Sequence, residues 1–228
     1  EIMFFGHCFI EVIPLKQRYL FCCIAICMIM FIIMDFGIYH VENITSSYFK
    51  FLAMTLLFLS ANYYKKMILC YTLFCDFLLL FTSMYTLGIA FFIVVHLFYL
   101  CQMIPFFEYQ KRQQQCMLLL LLFGILFSFL PLYTVTICYS ITFLFHIIVA
   151  ATQKCSKMYI TGLVFFALCD CCTAISFLTF NTMAAKCIWI LYLPSQILLT
   201  ITKQHYFSTV LPLLQIKYPH LLRLQKKR

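Results

Sequence analysis

Long apolar runs separated by short polar stretches follow one another along almost the whole chain. A helix that crosses a bilayer core needs about 20 apolar residues, each rising about 1.5 Å. The runs predict eight membrane-spanning helices, at residues 19–39, 48–64, 67–82, 85–104, 116–132, 133–150, 158–178 and 185–202. The fifth and sixth segments are nearly fused at Pro131 to Tyr133. We therefore expect an all-α, polytopic transmembrane bundle that forms one domain over residues 1–228.

Composition supports lipid as the solvent of this chain. Of its 228 residues 65% are hydrophobic and only 10% are charged, and the mean hydropathy is +1.00. A soluble domain of this length leaves too much surface exposed to hide so many apolar side chains. Nearly all of the 14 cysteines lie in or beside the predicted segments, where a thiol behaves as a small apolar group. Their spacing does not match a zinc site, so neither a metal nor another cofactor is expected.

The basic residues predict the orientation. With eight helices and both termini in the cytoplasm, 14 of the 16 Lys and Arg residues fall on the inner side, including the basic tail at 203–228. Only Lys50 and Lys186 fall on the outer side. This distribution follows the positive-inside rule. Because the basic residues are scattered over every inner loop, the net charge of +9 does not indicate a nucleic-acid partner.

Three aspartates lie within the predicted segments, where a carboxylate costs roughly 2.5–3.5 kcal/mol to insert and is functional by default. Asp35 is near the outer end of its segment, where we expect it to reach water. Asp76 follows Lys66 by ten residues and Asp170 follows Lys157 by thirteen. At the helical rise these spacings place the two carboxyls about 15 and 20 Å from the inner face, near the midplane. These two are the candidate functional residues.

Four other polar residues lie at a similar depth in the helices that follow the two aspartates. His96 and Tyr99 share one helix face, and Tyr192 and Gln196 share another. Singly, such residues more often form structural hydrogen bonds between helices. Together with two carboxyls they favour a functional polar pocket. Because each aspartate precedes its polar pair by a similar interval, 20 and 22 residues, a 4+4 internal repeat is one interpretation of the chain.

The chemistry available to such a pocket is acid–base catalysis. Two neighbouring carboxyls in a low dielectric favour a state in which one carries a proton and the other a charge. His96 can share either task. Only His96 and His146 lie in the predicted segments, which is too few histidines for a typical hydrolytic metal site, and no nucleophilic triad is evident.

The ordered motifs resemble the YhhN-like membrane proteins, which include the vertebrate lysoplasmalogenases. The resemblance covers roughly residues 48 to 202 and rests on four stretches: ILCYTLFCDFLLLF with Asp76, LGIAFFIVVHLFYLCQM with His96 and Tyr99, TGLVFFALCDCCTAISFL with Asp170, and KCIWILYLPSQILLT with Tyr192 and Gln196. Cys75 stands where the family usually has Gly, and Cys169 where it usually has Ser.

The resemblance implies hydrolysis of the vinyl ether bond of lysoplasmalogens, which releases a fatty aldehyde and a glycerophospho-alcohol. Asp76 and Asp170 would be the acid and the base in either order, while His96 and Tyr99 would support proton transfer. Tyr192 and Gln196 would position the headgroup or water. A lysophospholipid and membrane lipid are the implied partners, and the endoplasmic reticulum or another endomembrane is the implied location.

Two other classes of protein also fit these residues. A proton-coupled transporter would likewise place carboxyls and a repeat within the membrane. The second alternative is a chemoreceptor, since the bundle would have seven helices if the fifth and sixth segments formed one.

Overall fold

The computed structural model describes residues 15–38, 44–82, 84–103, 122–153 and 155–202. Within these ranges the structure is helical and contains no strand. Its helices are α1 (Leu15–Ile32, continued by a π-helical turn at Ile33–Ile38), α2 (Ile44–Ser60), α3 (Tyr63–Phe81), α4 (Tyr85–Gln102), α5 (122–127), α6 (Leu132–Thr152), α7 (Lys157–Thr179) and α8 (Thr182–Ile201). The prediction of an all-α fold is confirmed for this part of the chain.

Each helix overlaps one of the eight predicted segments. The fifth and sixth segments are separate helices, because a turn at 128–130 and Pro131 lie between them. Pro131 is the N-cap residue of α6, a position where the missing N–H of proline costs no helical hydrogen bond. Residues 116–121 of the fifth segment and the basic tail at 203–228 lie outside the described residues.

In the part of the chain that the structure describes, four helical stretches are long and apolar enough to cross a membrane, namely Arg18–Gly37, Leu132–Thr152, Lys157–Thr179 and Thr182–Ile201. Ile44–Ser60 and Tyr85–Cys101 are apolar but shorter. α3 carries three charged residues, Lys65, Lys66 and Asp76. These helices indicate a membrane protein, whereas the count of eight spans and the orientation of the termini stay predictions.

The outer surface of the bundle supports the same conclusion. Large apolar side chains project from it, among them Phe129, Tyr133 and Phe177, which are more than 70% exposed. A protein in water rarely leaves such groups exposed over a wide area, whereas lipid solvates them. The backbone groups of a helix are satisfied internally, as a membrane requires.

Consecutive helices pack as hairpins, α1 with α2, α3 with α4, and α7 with α8, while α4 also packs against α6 and α2 against α3 and α8. Close approach of α7 to α8 depends on Gly162, where an added Cβ would lie 3.1 Å from the Cβ of Leu198. Gly88 has the same function between α3 and α4, since its Cβ would lie 2.8 Å from Leu79. Small residues allow this close packing between membrane helices.

The last hairpin, α7–α8, carries three of the candidate residues and has well-defined caps. The side chain of Ser156 accepts a hydrogen bond from the backbone N–H of Tyr159 at the start of α7. Asn181 caps α8 by accepting from two backbone N–H groups. These caps satisfy N–H groups that a helix start leaves without partners. Pro194 lies inside α8, where its missing N–H favours a bend next to Tyr192 and Gln196.

Candidate active site

The first predicted carboxyl, Asp76, lies in α3 and is buried, with 2% of its surface exposed. Its Oδ1 accepts a hydrogen bond of 2.8 Å from the hydroxyl of Tyr192 on α8. Its Oδ2 has no hydrogen-bond partner among the described residues. Buried polar atoms are nearly always paired in proteins, and carboxyls inside a membrane protein are costly. The free oxygen is therefore the atom of Asp76 best placed to contact a ligand.

The second carboxyl, Asp170, lies in α7 and is partly exposed. Its Oδ2 accepts a hydrogen bond of 2.7 Å from the hydroxyl of Tyr139 on α6. Each predicted aspartate is thus held by one tyrosine from another helix. The two environments differ, because Asp76 is enclosed by the bundle while Asp170 reaches its surface.

Aromatic rings join the two carboxyl–tyrosine pairs. The ring of Phe92 on α4 lies 6.3 Å from that of Tyr139 and 6.4 Å from that of Tyr192. Phe166 on α7 packs against Phe92 at 6.0 Å and against Tyr192 at 5.7 Å. The two pairs therefore border one aromatic cluster. The sequence predicted that polar groups converge here, but it did not predict the aromatic rings between them.

His96 lies at the edge of this cluster and does not hydrogen-bond to either aspartate. Its ring contacts Tyr139 and Phe166, at centroid distances of 5.5 and 5.2 Å. Its Nδ1 lies 3.0 Å from Nδ1 of His146 on α6, and Nε2 of His146 lies 2.8 Å from the hydroxyl of Tyr159 on α7. His96 and His146 are both fully buried, so the hydrogen bonds between these side chains lie inside the bundle.

Tyr99 and Gln196 are buried but are not hydrogen-bonded to the aspartates. The ring of Tyr99 stacks on His146 at 5.4 Å, and its hydroxyl has no hydrogen-bond partner among the described residues. The amide oxygen and nitrogen of Gln196 likewise have no such partner in the described part of the chain. The structure therefore brings Tyr192 to Asp76, while Gln196 lies one turn farther along the same buried face of α8.

The prediction that Asp35 reaches water is wrong. Asp35 is 1% exposed and forms an ion pair of 2.8 Å with Lys50 of α2, which is equally buried. The Lys50 ammonium also lies 5.8 Å from the ring centroid of Phe31 and 5.9 Å from that of Trp189. Lys50 lies within α2, on its buried face. Packing of α1 against α2 encloses both charges, and each compensates the burial of the other.

Sequence reasoning missed three partners of the site, Tyr139, His146 and Tyr159. Tyr139 and His146 are seven residues apart in α6, which places them on one face two turns from each other. Val135, Phe143 and Ala150 extend the same buried face. The seven-residue spacing is visible in the sequence, but which face of α6 is buried is seen only in the structure. Tyr159 offers no comparable signal, because aromatic residues are common throughout the chain.

No three His, Cys, Asp or Glu side chains among the described residues are grouped so as to hold a metal ion. No protein-family model, curated protein or solved structure matches the chain. The chemistry open to this protein therefore follows from the arrangement of its carboxyls, tyrosines and histidines.

Proposed function

We propose that this protein is a membrane-embedded hydrolase that cleaves the vinyl ether bond of lysoplasmalogens. The observation that carries the proposal is the pair of tyrosine-held carboxyls, Asp76 with Tyr192 and Asp170 with Tyr139, at the border of one aromatic cluster. The ordered resemblance of these segments to the YhhN-like proteins supports it.

The reaction needs a proton donor, a base and a water molecule. Protonation of the vinyl carbon β to the ether oxygen gives an oxocarbenium ion, and water then adds to the carbon bound to oxygen. The base takes a proton from that water. The hemiacetal then collapses as its hydroxyl proton passes to the departing glycerol oxygen, which gives a fatty aldehyde and a glycerophospho-alcohol. The atoms balance as vinyl ether plus water giving aldehyde plus alcohol. Two carboxyls suffice for this sequence, and no covalent nucleophile is required.

In this proposal one of Asp76 and Asp170 is the acid and the other is the base. The negative carboxylate also stabilises the oxocarbenium ion, an effect that a low-dielectric site strengthens. Tyr139 and Tyr192 hold the carboxyls in place by donating to one oxygen of each. Gln196, buried on the face of α8 that carries Tyr192, is a group that can bind water or the headgroup.

The apolar surface around the bundle suits an amphiphilic substrate. Asp170 is partly exposed on a surface rich in large apolar side chains, which offers a route for the alkenyl chain from lipid. The proposal includes eight spans with both termini in the cytoplasm, membrane lipid as a partner, and residence in the endoplasmic reticulum or another endomembrane. It invokes no cofactor.

The proposal is tested with purified protein, a lysoplasmalogen and its ester-linked lysolipid analogue, by following aldehyde release. We expect aldehyde from the vinyl ether alone, and a loss of about 100-fold or more in Asp76→Asn and in Asp170→Asn. Glu108→Gln, which removes an acidic group from a predicted inner loop, is the control and should keep full activity. Full activity in both Asp→Asn variants would refute the mechanism. No aldehyde from folded wild-type protein would refute the function and favour proton-coupled transport.

A further inference from the structure

A continuous row of buried polar side chains leads away from the carboxyl site. It consists of His96 on α4, His146 on α6 and Tyr159 on α7, joined by contacts of 3.0 and 2.8 Å. All three side chains are at most 1% exposed. Burial of two imidazoles side by side is costly unless the nitrogens in contact are hydrogen-bonded. The 3.0 Å contact between the two Nδ1 atoms meets that requirement.

One end of the row lies beside the catalytic carboxyls. The ring of His96 contacts Tyr139, whose hydroxyl donates to Asp170. Nε2 of His96 is buried and has no hydrogen-bond partner in the described ranges. This nitrogen is the atom of the row at which a proton would enter or leave on the side of the carboxyl site.

The other end lies at the starts of two helices. Tyr159 is the third residue of α7, and Lys65 is the third residue of α3. The Lys65 ammonium lies 5.6 Å from the ring centroid of Tyr159 and 5.1 Å from that of Tyr99. Tyr159 precedes Asp170 by eleven residues of the same helix, which corresponds to about 16 Å along its axis. The row therefore runs from the level of Asp170 in α7 to the end of the bundle at which α3 and α7 begin.

The contact between the two Nδ1 atoms restricts the protons that the row can hold. A hydrogen bond between two neutral imidazoles needs one Nδ1–H and one bare Nδ1, so His96 and His146 must be opposite tautomers. If His96 carries the shared proton on Nδ1, the single N–H of His146 is on Nε2 and donates to the hydroxyl of Tyr159. If His146 carries it, Tyr159 donates to Nε2 of His146, and His96 holds a proton on its own Nε2. Passage between the two states moves one proton equivalent along the whole row.

We infer that His96, His146 and Tyr159 form a proton relay that resets the carboxyls between turnovers. This inference rests on the proposed function, because the reaction described above transfers a proton from the acid carboxyl, through carbon and water, to the base carboxyl. The acid must regain a proton and the base must lose one before the next substrate reacts. His146 and Tyr159 act on the reaction through His96 and are positioning residues for this proton transfer.

The first test measures tautomers and does not depend on activity. In full-length protein labelled with 15N-histidine and held in lipid nanodiscs, His96 and His146 should show opposite tautomers. Tyr159→Phe should change the tautomer populations of both rings together, whereas Tyr133→Phe, which alters a tyrosine of α6 that is 77% exposed, should change neither. Identical tautomers in the two rings, or a change at His146 alone, would overturn the relay whether or not aldehyde is released.

The second test separates the first turnover from later ones. Tyr159→Phe and His146→Gln should release the first equivalent of aldehyde at the wild-type rate and then slow by about 100-fold in the steady state, as expected for loss of a positioned proton-transfer group. Equal slowing of both phases would overturn the relay and assign these residues to packing. If wild-type protein releases no aldehyde, the proposed function fails, and the tautomer measurement alone decides whether the relay exists.

Discussion

Tyr192 donates a hydrogen bond of 2.8 Å to Asp76 across 116 positions of sequence. The bond joins α3 to α8, the third helix of the bundle to the last. It leaves one carboxyl oxygen of Asp76 bonded and the other without a partner among the described residues. Tyr139 binds Asp170 in the same way from α6. Each carboxyl therefore has one oxygen fixed by a tyrosine, an arrangement that orients the other oxygen.

Removal of either tyrosine hydroxyl should lower aldehyde release without unfolding the protein. A hydrogen bond to a charged group is worth about 1.5–3 kcal/mol, so Tyr192→Phe and Tyr139→Phe should each lose about 10- to 100-fold in kcat. The measurement is the initial rate with lysoplasmalogen, with thermal unfolding in detergent as the check on folding. Tyr133→Phe, which removes a hydroxyl from a tyrosine that is 77% exposed, serves as the control. Wild-type rates in both variants would show that the tyrosines do not orient the carboxyls.

The buried ion pair between Asp35 and Lys50 should matter more for stability when one partner is removed than when both are. Lys50→Met leaves an uncompensated carboxylate at a site that is 1% exposed, which should cost about 3–5 kcal/mol in the free energy of unfolding. The double variant Asp35→Leu/Lys50→Met should recover most of that loss, because both charges are gone. Unfolding in mixed micelles measures the difference. Losses that simply add in the double variant would mean that the two charges do not stabilise each other.

The sequence predicted the helices well, because the length of an apolar run is a local property. It also identified Asp76, Asp170 and Tyr192 as polar groups within those runs, and the structure joins Asp76 to Tyr192 by a hydrogen bond. The depth of these groups in a membrane stays a prediction.

The partners of those residues could not be predicted in the same way. Which residue of α6 meets Asp170, or which residue of α2 meets Asp35, depends on the rotation of each helix about its axis. In water an apolar stripe reveals that rotation, but these helices are apolar on nearly every side. Asp35 is an example. Its position near a helix end suggested contact with water, but the rotation of α1 directs its side chain to Lys50.

Close packing of α7 against α8 should make Gly162 intolerant of a methyl group. In Gly162→Ala the new Cβ would lie 3.1 Å from the Cβ of Leu198, an atom attached directly to the helix backbone. Overpacking of this kind costs about 1–3 kcal/mol, and it would separate the hairpin that carries Asp170 and Tyr192. At Gly37 the nearest atom to an added Cβ is 3.9 Å away, so Gly37→Ala is the matched control. Thermal unfolding should distinguish the two variants, and equal melting temperatures would contradict this account of the interface.

The different exposure of the two site carboxyls predicts different reactivity towards a lipid-soluble carbodiimide, which modifies protonated carboxyl groups. Asp170 is partly exposed at the apolar surface, whereas Asp76 is 2% exposed and lies behind the aromatic cluster. Asp170 should therefore be modified first when intact protein in lipid is treated and its peptides are analysed by mass spectrometry. Asp170→Asn should abolish the early product, while Asp76→Asn, which removes the enclosed carboxyl and leaves Asp170 in place, should not. Earlier modification of Asp76 would show that the site opens from the side of α3, and the route for the alkenyl chain past Asp170 would then be wrong.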